Sequence, residues 1–350
     1  MKIAVYTIAL NEEKHVNRWY NSCKDADYII VGDTGSTDNT KSMLLSYGVR
    51  VVDISIKPWR FDMPRNTVLS LIPSDVDICI SLDMDEFLGD DWRSILENEW
   101  TEKTTRLSYK YVFDYVDGSD NAGFWVNKVH SRSGYQWKRP VHETIYPAAN
   151  FSEIETVSNN FKINQIQDRS KSTRTNYLPL LELAINEAKE ADPQLIFWYA
   201  RELDIYGQKQ KAAEQYKHFL TFDWWNGERS EAMINLSKLT GDPKWLFKSL
   251  IETDTRLEIW TSLAEHYYFK NDWINCYWAV KNGIEKSIPT QTYLDNTQNK
   301  SYIYDIGSIA SFHIGMKKDS IDFINKAIEL NPSDSRLLNN KKYFEGKKDE

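Results

Sequence analysis

Lys2–Leu10, Tyr28–Val31, Val49–Ile54 and Val76–Leu82 are apolar runs broken by polar segments, and each reads as a buried strand. Between the first two, Val16, Trp19, Tyr20 and Cys23 recur at helical spacing, with Asn11 as the expected N-cap. The second run ends in Gly32-Asp33-Thr34-Gly35-Ser36-Thr37-Asp38-Asn39-Thr40. Glycine, hydroxyls and Asp predict a tight turn feeding a helix N-terminus, which is an anion site in itself. Gly48 closes that helix. After Pro58, Phe61–Asn66 opens another helix with Pro64 tolerated in its first turn, and Pro73 ends it. Strand and helix in alternation predict an α/β domain with a mostly parallel sheet.

The pattern then changes. Leu107, Tyr109, Tyr111, Phe113 and Tyr115 recur at alternate positions, Asp117-Gly118 signals a hairpin, and Phe124-Trp125-Val126 begins a return strand. From Tyr177 onward the chain reads as paired amphipathic helices. Ala200, Tyr206, Gly207, Ala212 and Tyr216 follow a tetratricopeptide-like rhythm, and Gly241 repeats Gly207 after 34 residues. Trp260, Leu263, Ala264, Tyr267 and Ala279 predict a third unit; Tyr304, Gly315, Ala327 and Pro332 predict a fourth, at an irregular interval. The expected division is an α/β domain over 1–170 and a helical-repeat domain over 171–350, in line with the two domains a chain of 350 residues favours.

Composition narrows the function. A net charge of −8 with no basic stripe argues against a nucleic-acid groove. Cys23, Cys79 and Cys276 are widely spaced and odd in number, with neither a disulfide nor a metal pattern, which suits a reducing compartment. The first apolar run enters Asn11-Glu12-Glu13 without a small-residue cleavage site, so it reads as a strand rather than a signal peptide, and no run reaches membrane-span length. A cytoplasmic location is the expectation. Thirteen Trp and 20 Tyr exceed what a small core needs, and they fit either helix packing or sugar-stacking surfaces.

The candidate chemistry sits at the end of the fourth strand. Asp83-Met84-Asp85-Glu86 follows the apolar run directly. Carboxylates at i and i+2 of a strand share a face and repel unless a cation lies between them. Hard divalent ions are held by one or two carboxylates together with substrate phosphates, and open α/β sheets bind ligands at the carboxyl ends of their strands. The pair predicts a Mg²⁺ or Mn²⁺ site.

Taken in order, Asn11-Glu12, Asp33–Thr40, Arg65-Asn66 and Asp83–Glu86 resemble the motifs of family 2 glycosyltransferases of GT-A fold, over roughly the first 150 residues. With the helical tail, the chain resembles bacterial and phage glycosyltransferases that carry tetratricopeptide repeats, including peptide S-glycosyltransferases. The resemblance implies a hexosyl transfer from a nucleotide-diphosphate sugar with a divalent cofactor. It implies that Asp33 hydrogen-bonds the nucleobase, with uracil and guanine both able to donate an N–H and a UDP-sugar favoured. Thr7, Ala9 and Glu12 are implied in the same pocket and Arg65 at the nucleotide. Asp83 is implied near ribose and metal, and Asp85 as the direct metal ligand.

Inverting displacement also needs a base. Trp137-Lys138-Arg139-Pro140-Val141-His142-Glu143 resembles the late His-Glu element of that family. It implies His142 as a third metal ligand and Glu143 as the base or acceptor-orienting group, with Asp120 a rival base. Related chains often carry histidine near Asn164 and Gln165, and this one does not. Arg169, Lys171 and Arg174 are candidates to close over the diphosphate. The acceptor is open among glycan, lipid-linked sugar, peptide and protein. The repeats are expected to bind a partner or to dimerise. The competing reading is a silent nucleotide-binding relative that serves as a repeat-based interaction module.

Overall fold

The computed structural model describes residues 1–113, 123–166, 177–288, 292–294 and 298–346. Tyr115, Asp117, Gly118 and Asp120, and the basic set Arg169, Lys171 and Arg174, lie outside the described residues. The chain forms two compact units, Met1–Ala188 with Gln291–Tyr293, and Lys189–Thr290 with Leu294–Glu350.

The first unit begins β1 (Ile3–Ala9), α1 (Glu13–Cys23), β2 (Tyr28–Asp33), α2 (Thr40–Ser46), β3 (Arg50–Asp53), α3 (Asp62–Ser70) and β4 (Ile78–Ser81). It continues β5 (Glu86–Leu88), α4 (Trp92–Glu99), β6 (Arg106–Val112), β7 (Gly123–Ser131), β8 (Tyr135–Lys138), β9 (Thr144–Pro147), β10 (Glu155–Gln165) and α5 (Tyr177–Glu187). The main sheet runs β3-β2-β1-β4-β7-β6-β10-β5, and β8 and β9 pair separately. β1 is parallel to β2 and β4, and β2 to β3, as the alternation predicts. Beyond β4 the sheet is mixed: β7 is antiparallel to β4 and β6, whereas β10 lies parallel to β6.

The central strands β1 and β4 are buried on both faces, which is why their runs read as continuous rather than alternating, whereas the edge strand β3 is partly exposed. One face packs Val16, Trp19 and Cys23 of α1 and Leu44 of α2 against Val5, Val31 and Ile80. The other packs Val68 and Leu69 of α3 against Tyr6, Ile30 and Cys79. Gly32 is needed there, because a Cβ on it would stand 2.6 Å from Val68 Cγ2 and 2.7 Å from Ile54 Cδ1. β1 lies between β2 and β4, so the strand order reverses beside it. In open α/β sheets ligands bind in the crevice at such a reversal, at the carboxyl ends of the strands, and here Ala9, Asp33 and Ser81 finish their strands at that place.

Asn11 departs from expectation. Helix α1 is capped by Glu12 without a side-chain bond. Asn11 instead takes a left-handed backbone, φ 55°, and its Oδ1 accepts from the Thr37 N–H at 2.7 Å. Asn tolerates that region because its short side chain bonds locally. It therefore clasps the turn after β2 rather than starting the helix.

The second unit holds α6 (Pro193–Ile205), α7 (Lys209–Phe219), α8 (Asn226–Thr240), α9 (Lys244–Glu252), α10 (Leu257–Phe269), α11 (Trp273–Lys286), α12 (Gln298–His313), α13 (Lys317–Leu330) and α14 (Ser335–Glu345). The hairpins α6–α7, α8–α9, α10–α11 and α12–α13 turn through Gly207, Gly241, Asn271 and Gly315, all at positive φ. A left-handed residue just past a helix ends it at little steric cost when it is glycine or asparagine. Ala200, Ala212, Ala264, Ala279 and Ala327 are buried where helices meet. The architecture is thus a GT-A-like α/β unit followed by an all-α array of tetratricopeptide-like hairpins.

Candidate functional site

Strand β4 stops at Ser81, so the acidic motif lies in the turn that follows and not in the strand. Leu82 anchors the turn: its N–H reaches Tyr6 O at 3.1 Å, and its carbonyl accepts Trp19 Nε1 at 2.9 Å. The Glu86 N–H then bonds Asp83 O at 2.9 Å and begins β5. Met84 and Glu86 point into the fold, while Asp83 and Asp85 are half-buried at the crevice.

Asp83 is held by two cations. Arg65 Nη1 stands 2.8 Å from Oδ1, and Lys128 Nζ stands 3.3 Å from Oδ2. Thr7 Oγ1, fully buried in β1, is 3.5 Å from Oδ1. Burial disfavours the charge on Asp83, but Arg65 and Lys128 outweigh it and hold the carboxyl well below the usual range. Lys128 Nζ also donates to Glu86 Oε1 at 2.6 Å, and Glu86 Oε2 accepts the Asp83 N–H at 2.8 Å. Burial of Lys128 is likewise outweighed, here by Asp83 and Glu86, and its pKa rises. Asp85 differs. Burial and the Asp83 charge push its carboxyl above the usual range, against a bond from Gln165 Nε2 to Oδ2 at 2.6 Å. Arg18 Nη2 supports the Asp85 carbonyl at 3.1 Å.

Arg65 joins distant parts of the chain. It stands in the first turns of α3, and its Nε reaches Glu143 Oε1 at 2.8 Å. Its guanidinium lies 4.9 Å from the Trp137 ring centre. The next residue anchors that ring's strand: Asn66 Nδ2 donates to Trp137 O and Asn66 Oδ1 accepts the Trp137 N–H, both at 2.8 Å. In the Arg65-Asn66 motif, Asn66 thus fixes β8 while Arg65 spans Asp83 and Glu143. Below it, Trp137 Nε1 donates to Tyr6 OH at 2.9 Å, and Tyr6 OH meets His130 Nε2 at 2.9 Å. His130 Nδ1 faces Ser131 O at 2.8 Å, which places the ring proton on Nδ1 and makes Nε2 the acceptor. Burial lowers the His130 pKa to about 3, so this relay is neutral.

At the other end, Asp33 is buried at the end of β2. Its Oδ2 accepts from Gly35 N at 3.2 Å and Ser36 N at 3.1 Å, whereas Oδ1 is buried without a hydrogen-bond partner among the described residues. Ala9 O accepts the Thr34 N–H at 2.9 Å, and the Glu12 N–H reaches Thr40 Oγ1 at 2.7 Å. The first bond fastens the ends of β1 and β2 together, and the second ties the start of α1 to the start of α2. A carboxylate oxygen of this kind keeps its capacity to accept a hydrogen bond.

His142 lies in the loop between β8 and β9. It has a left-handed backbone, φ 49°, and its ring lies 5.8 Å from that of Tyr177. Among the described residues no group of three His, Cys, Asp or Glu side chains is placed to hold a metal ion. The residues still fit a divalent ion of the kind that relies on substrate oxygens. Asp85 is a carboxylate whose ionisation a nearby cation would favour, and one or two carboxylates suffice when a diphosphate supplies the rest.

Lys128, Glu86, Gln165 and Arg18 were given no role from the sequence. Glu86 lies inside the acidic motif, so adjacency could have marked it. Lys128 carries no local signal. It reaches the site through a bulge, where Asn127 and Lys128 of β7 oppose Ser108 alone between the pairs Leu107–Val129 and Tyr109–Val126.

No family model matches the chain. It is 24% identical over 168 residues to the lipopolysaccharide core biosynthesis glycosyltransferase LpsC of Rhizobium meliloti (strain 1021), a match over 45% of this chain and 62% of that protein. The chain therefore spans less than two thirds of this relative's length. Among solved structures, glucosyl-3-phosphoglycerate synthase from Mycobacterium tuberculosis, in complex with Mn²⁺, UDP and phosphoglyceric acid, is similar at 24% identity. That match covers 31% of this chain and 43% of the other, with TM-score 0.28. The tetratricopeptide protein YrrB is similar at 14% identity, over 47% of this chain and 82% of its own, with TM-score 0.38. MamA is similar at 16% identity, over 44% and 82%, with TM-score 0.36. The chain thus resembles a glycosyltransferase joined to tetratricopeptide-like repeats, as its motifs and its two units indicate.

Proposed function

We propose that this protein is a metal-dependent inverting glycosyltransferase that takes a hexosyl group from a nucleotide-diphosphate sugar, with UDP the favoured nucleotide. The observation that carries the reading is Arg65, which ties the acidic turn after β4 to Glu143 through paired contacts of 2.8 Å. A donor-site carboxylate and a candidate base are thereby held around one buried guanidinium.

In this reading Asp33 Oδ1 accepts from the N–H edge of the base, with Thr7, Ala9 and Glu12 lining the pocket. Asp85 holds Mn²⁺ or Mg²⁺ in the company of the donor, with Asp83 beside the ribose. Bound there, the ion supplies neutralisation of the diphosphate as the sugar–phosphate bond breaks. Glu143 accepts the acceptor's proton as its nucleophile attacks the anomeric carbon from the face opposite the leaving diphosphate. Arg65 orients that carboxylate. A single displacement forms the new glycosidic bond and breaks the old one, with no covalent enzyme intermediate. We assign the repeats to recognition of an acceptor or of a second subunit, since such arrays bind along their surfaces. No helix among the described residues is long and apolar enough to cross a membrane.

The alternative is a silent nucleotide-binding scaffold. The pairing of Asp83 and Glu143 with Arg65 favours it to the extent that a dead site also keeps its charges satisfied. Calorimetry with UDP and GDP, with and without Mn²⁺, followed by a hydrolysis screen of nucleotide sugars, separates the two. Metal-dependent binding with hydrolysis supports the transferase. Binding without any turnover, across UDP- and GDP-sugars, supports the scaffold.

A further inference from the structure

Both oxygens of Asp83 are already engaged, Oδ1 by Arg65 and Oδ2 by Lys128. Glu86 is equally committed, one oxygen to Lys128 and the other to the Asp83 N–H. The acidic turn thus carries an internal cation where a bound ion would otherwise be expected. This lysine is held in place. The β7 bulge puts Lys128 on the crevice side, and Arg106 secures the bulge by donating from Nε to Asn127 O at 3.0 Å and from Nη2 to Asn127 Oδ1 at 2.9 Å. The ammonium lies 5.5 Å from the Tyr111 ring centre, a cation–π distance. Bulges beside active sites re-aim a side chain, and this one delivers a charge.

From this geometry we infer that Lys128 is a positioning residue that acts as a resident counter-ion, occupying Asp83 and Glu86 so that a divalent ion is held at Asp85 only together with the donor diphosphate. The inference rests on the donor-site reading above. Its physical content is a competition. With Lys128 present, the motif offers an incoming ion one carboxylate that is hydrogen-bonded, by Gln165, but not ion-paired, namely Asp85, which is too few ligands for tight binding, and the diphosphate oxygens supply the remainder. Without Lys128, Asp83 and Glu86 repel each other and gain from any cation that enters. Ion and donor are then coupled in the intact protein, and the coupling is reciprocal: the factor by which UDP tightens Mn²⁺ is the factor by which Mn²⁺ tightens UDP.

The test is a binding cycle on the full chain by calorimetry, with Mn²⁺ alone, UDP alone, and each in the presence of the other. In the wild-type protein Mn²⁺ alone binds weakly, and UDP tightens it by roughly five- to a hundredfold. Lys128→Met keeps the apolar stem and removes the charge. It should tighten Mn²⁺ alone by about tenfold, because a close attractive pair at the motif is lost to the lysine and becomes available to the ion. The UDP-linked gain should shrink in the same measure, and Lys128→Arg should restore both. A lysine that only props the fold predicts the opposite sign, with ion and nucleotide binding weakened together. Lys128→Met with wild-type circular dichroism but unchanged or weaker Mn²⁺ binding overturns the inference. Glu86→Gln gives a second arm: Lys128 then pairs with Asp83 alone, and Mn²⁺ alone should bind no tighter than in wild type; tighter binding overturns the inference. Wild-type protein that binds neither UDP nor GDP overturns the donor-site reading and this inference with it. Intact donor binding with no change in Lys128→Met overturns the counter-ion role alone.

Discussion

Charge pairing is handled differently in the two units. In the helical array, ion pairs join neighbours along the chain. Arg229 reaches Glu252 across 23 residues, Arg256 reaches Glu231 across 25, and Arg336 reaches Asp305 across 31. Each spans about one repeat, as expected where every unit contacts only the next. In the α/β unit, Lys128 reaches Glu86 across 42 residues and Asp83 across 45, and Arg65 reaches Glu143 across 78. These pairs share members and form one network at one crevice. Local pairs can be lost singly with local consequences. A shared network cannot, because removing one charge leaves the others buried with a changed balance. The array is built for additive stability, and the crevice is built for a coupled response.

The sharpest way to break this contrast is at Glu143. Glu143→Gln should slow transfer by about 10²- to 10⁴-fold while donor affinity holds, since a general base acts in the transition state. A parallel fall in donor affinity would move Glu143 from the chemistry into the donor shell. Asp85→Asn comes next: metal-dependent donor turnover should fall by about a hundredfold or more with the fold intact. Turnover within a few-fold of wild type would remove Asp85 from the proposed metal site.

Leu263→Ala probes the other unit. The residue is fully buried between hairpins, and its truncation should cost about 2–5 kcal/mol by denaturant unfolding. UDP binding should be unchanged. A nucleotide affinity that moves with Leu263 would show the array to be coupled to the donor site.

His130 gives the smallest effect, per pH unit. Its pKa is depressed to about 3 by burial, below the roughly 6.5 of an unfolded histidine. The native state therefore keeps the ring neutral while the unfolded state takes a proton. Stability is full above about pH 6.5 and falls by about 1.4 kcal/mol per pH unit from this residue as pH drops towards 3. His130→Gln should flatten that slope between pH 7 and 5 in denaturant titrations. An unaltered slope would show that the Tyr6–His130–Trp137 relay is not proton-linked to folding.

The sequence made the frame legible where local physics decides. Runs such as Val76–Leu82 read as buried strands, and the repeat turns at Gly207 and Gly241 could be read from glycine and the 34-residue period. Asp33 and the Asp83–Glu86 turn were legible because they end strands at a predictable sheet edge. Asn11 was misread because an N-cap and a turn clasp use the same side chain, and only the position of Thr37 separates them. The parallel pairing of β10 with β6 carried no local signal, since register between distant strands is chosen by the whole sheet.

Alternation, caps and turn residues are properties of neighbours in the chain, so the order of elements, the helical repeats and the acidic strand end were determined by the sequence itself. The tertiary structure alone decided which charges meet. A β-bulge turns Lys128 toward Asp83, Arg65 spans from α3 to Glu143, and a left-handed backbone sets the His142 ring beside Tyr177. Those outcomes depend on distances across the fold, and electrostatic pairing between residues far apart in sequence leaves no pattern along the chain to read.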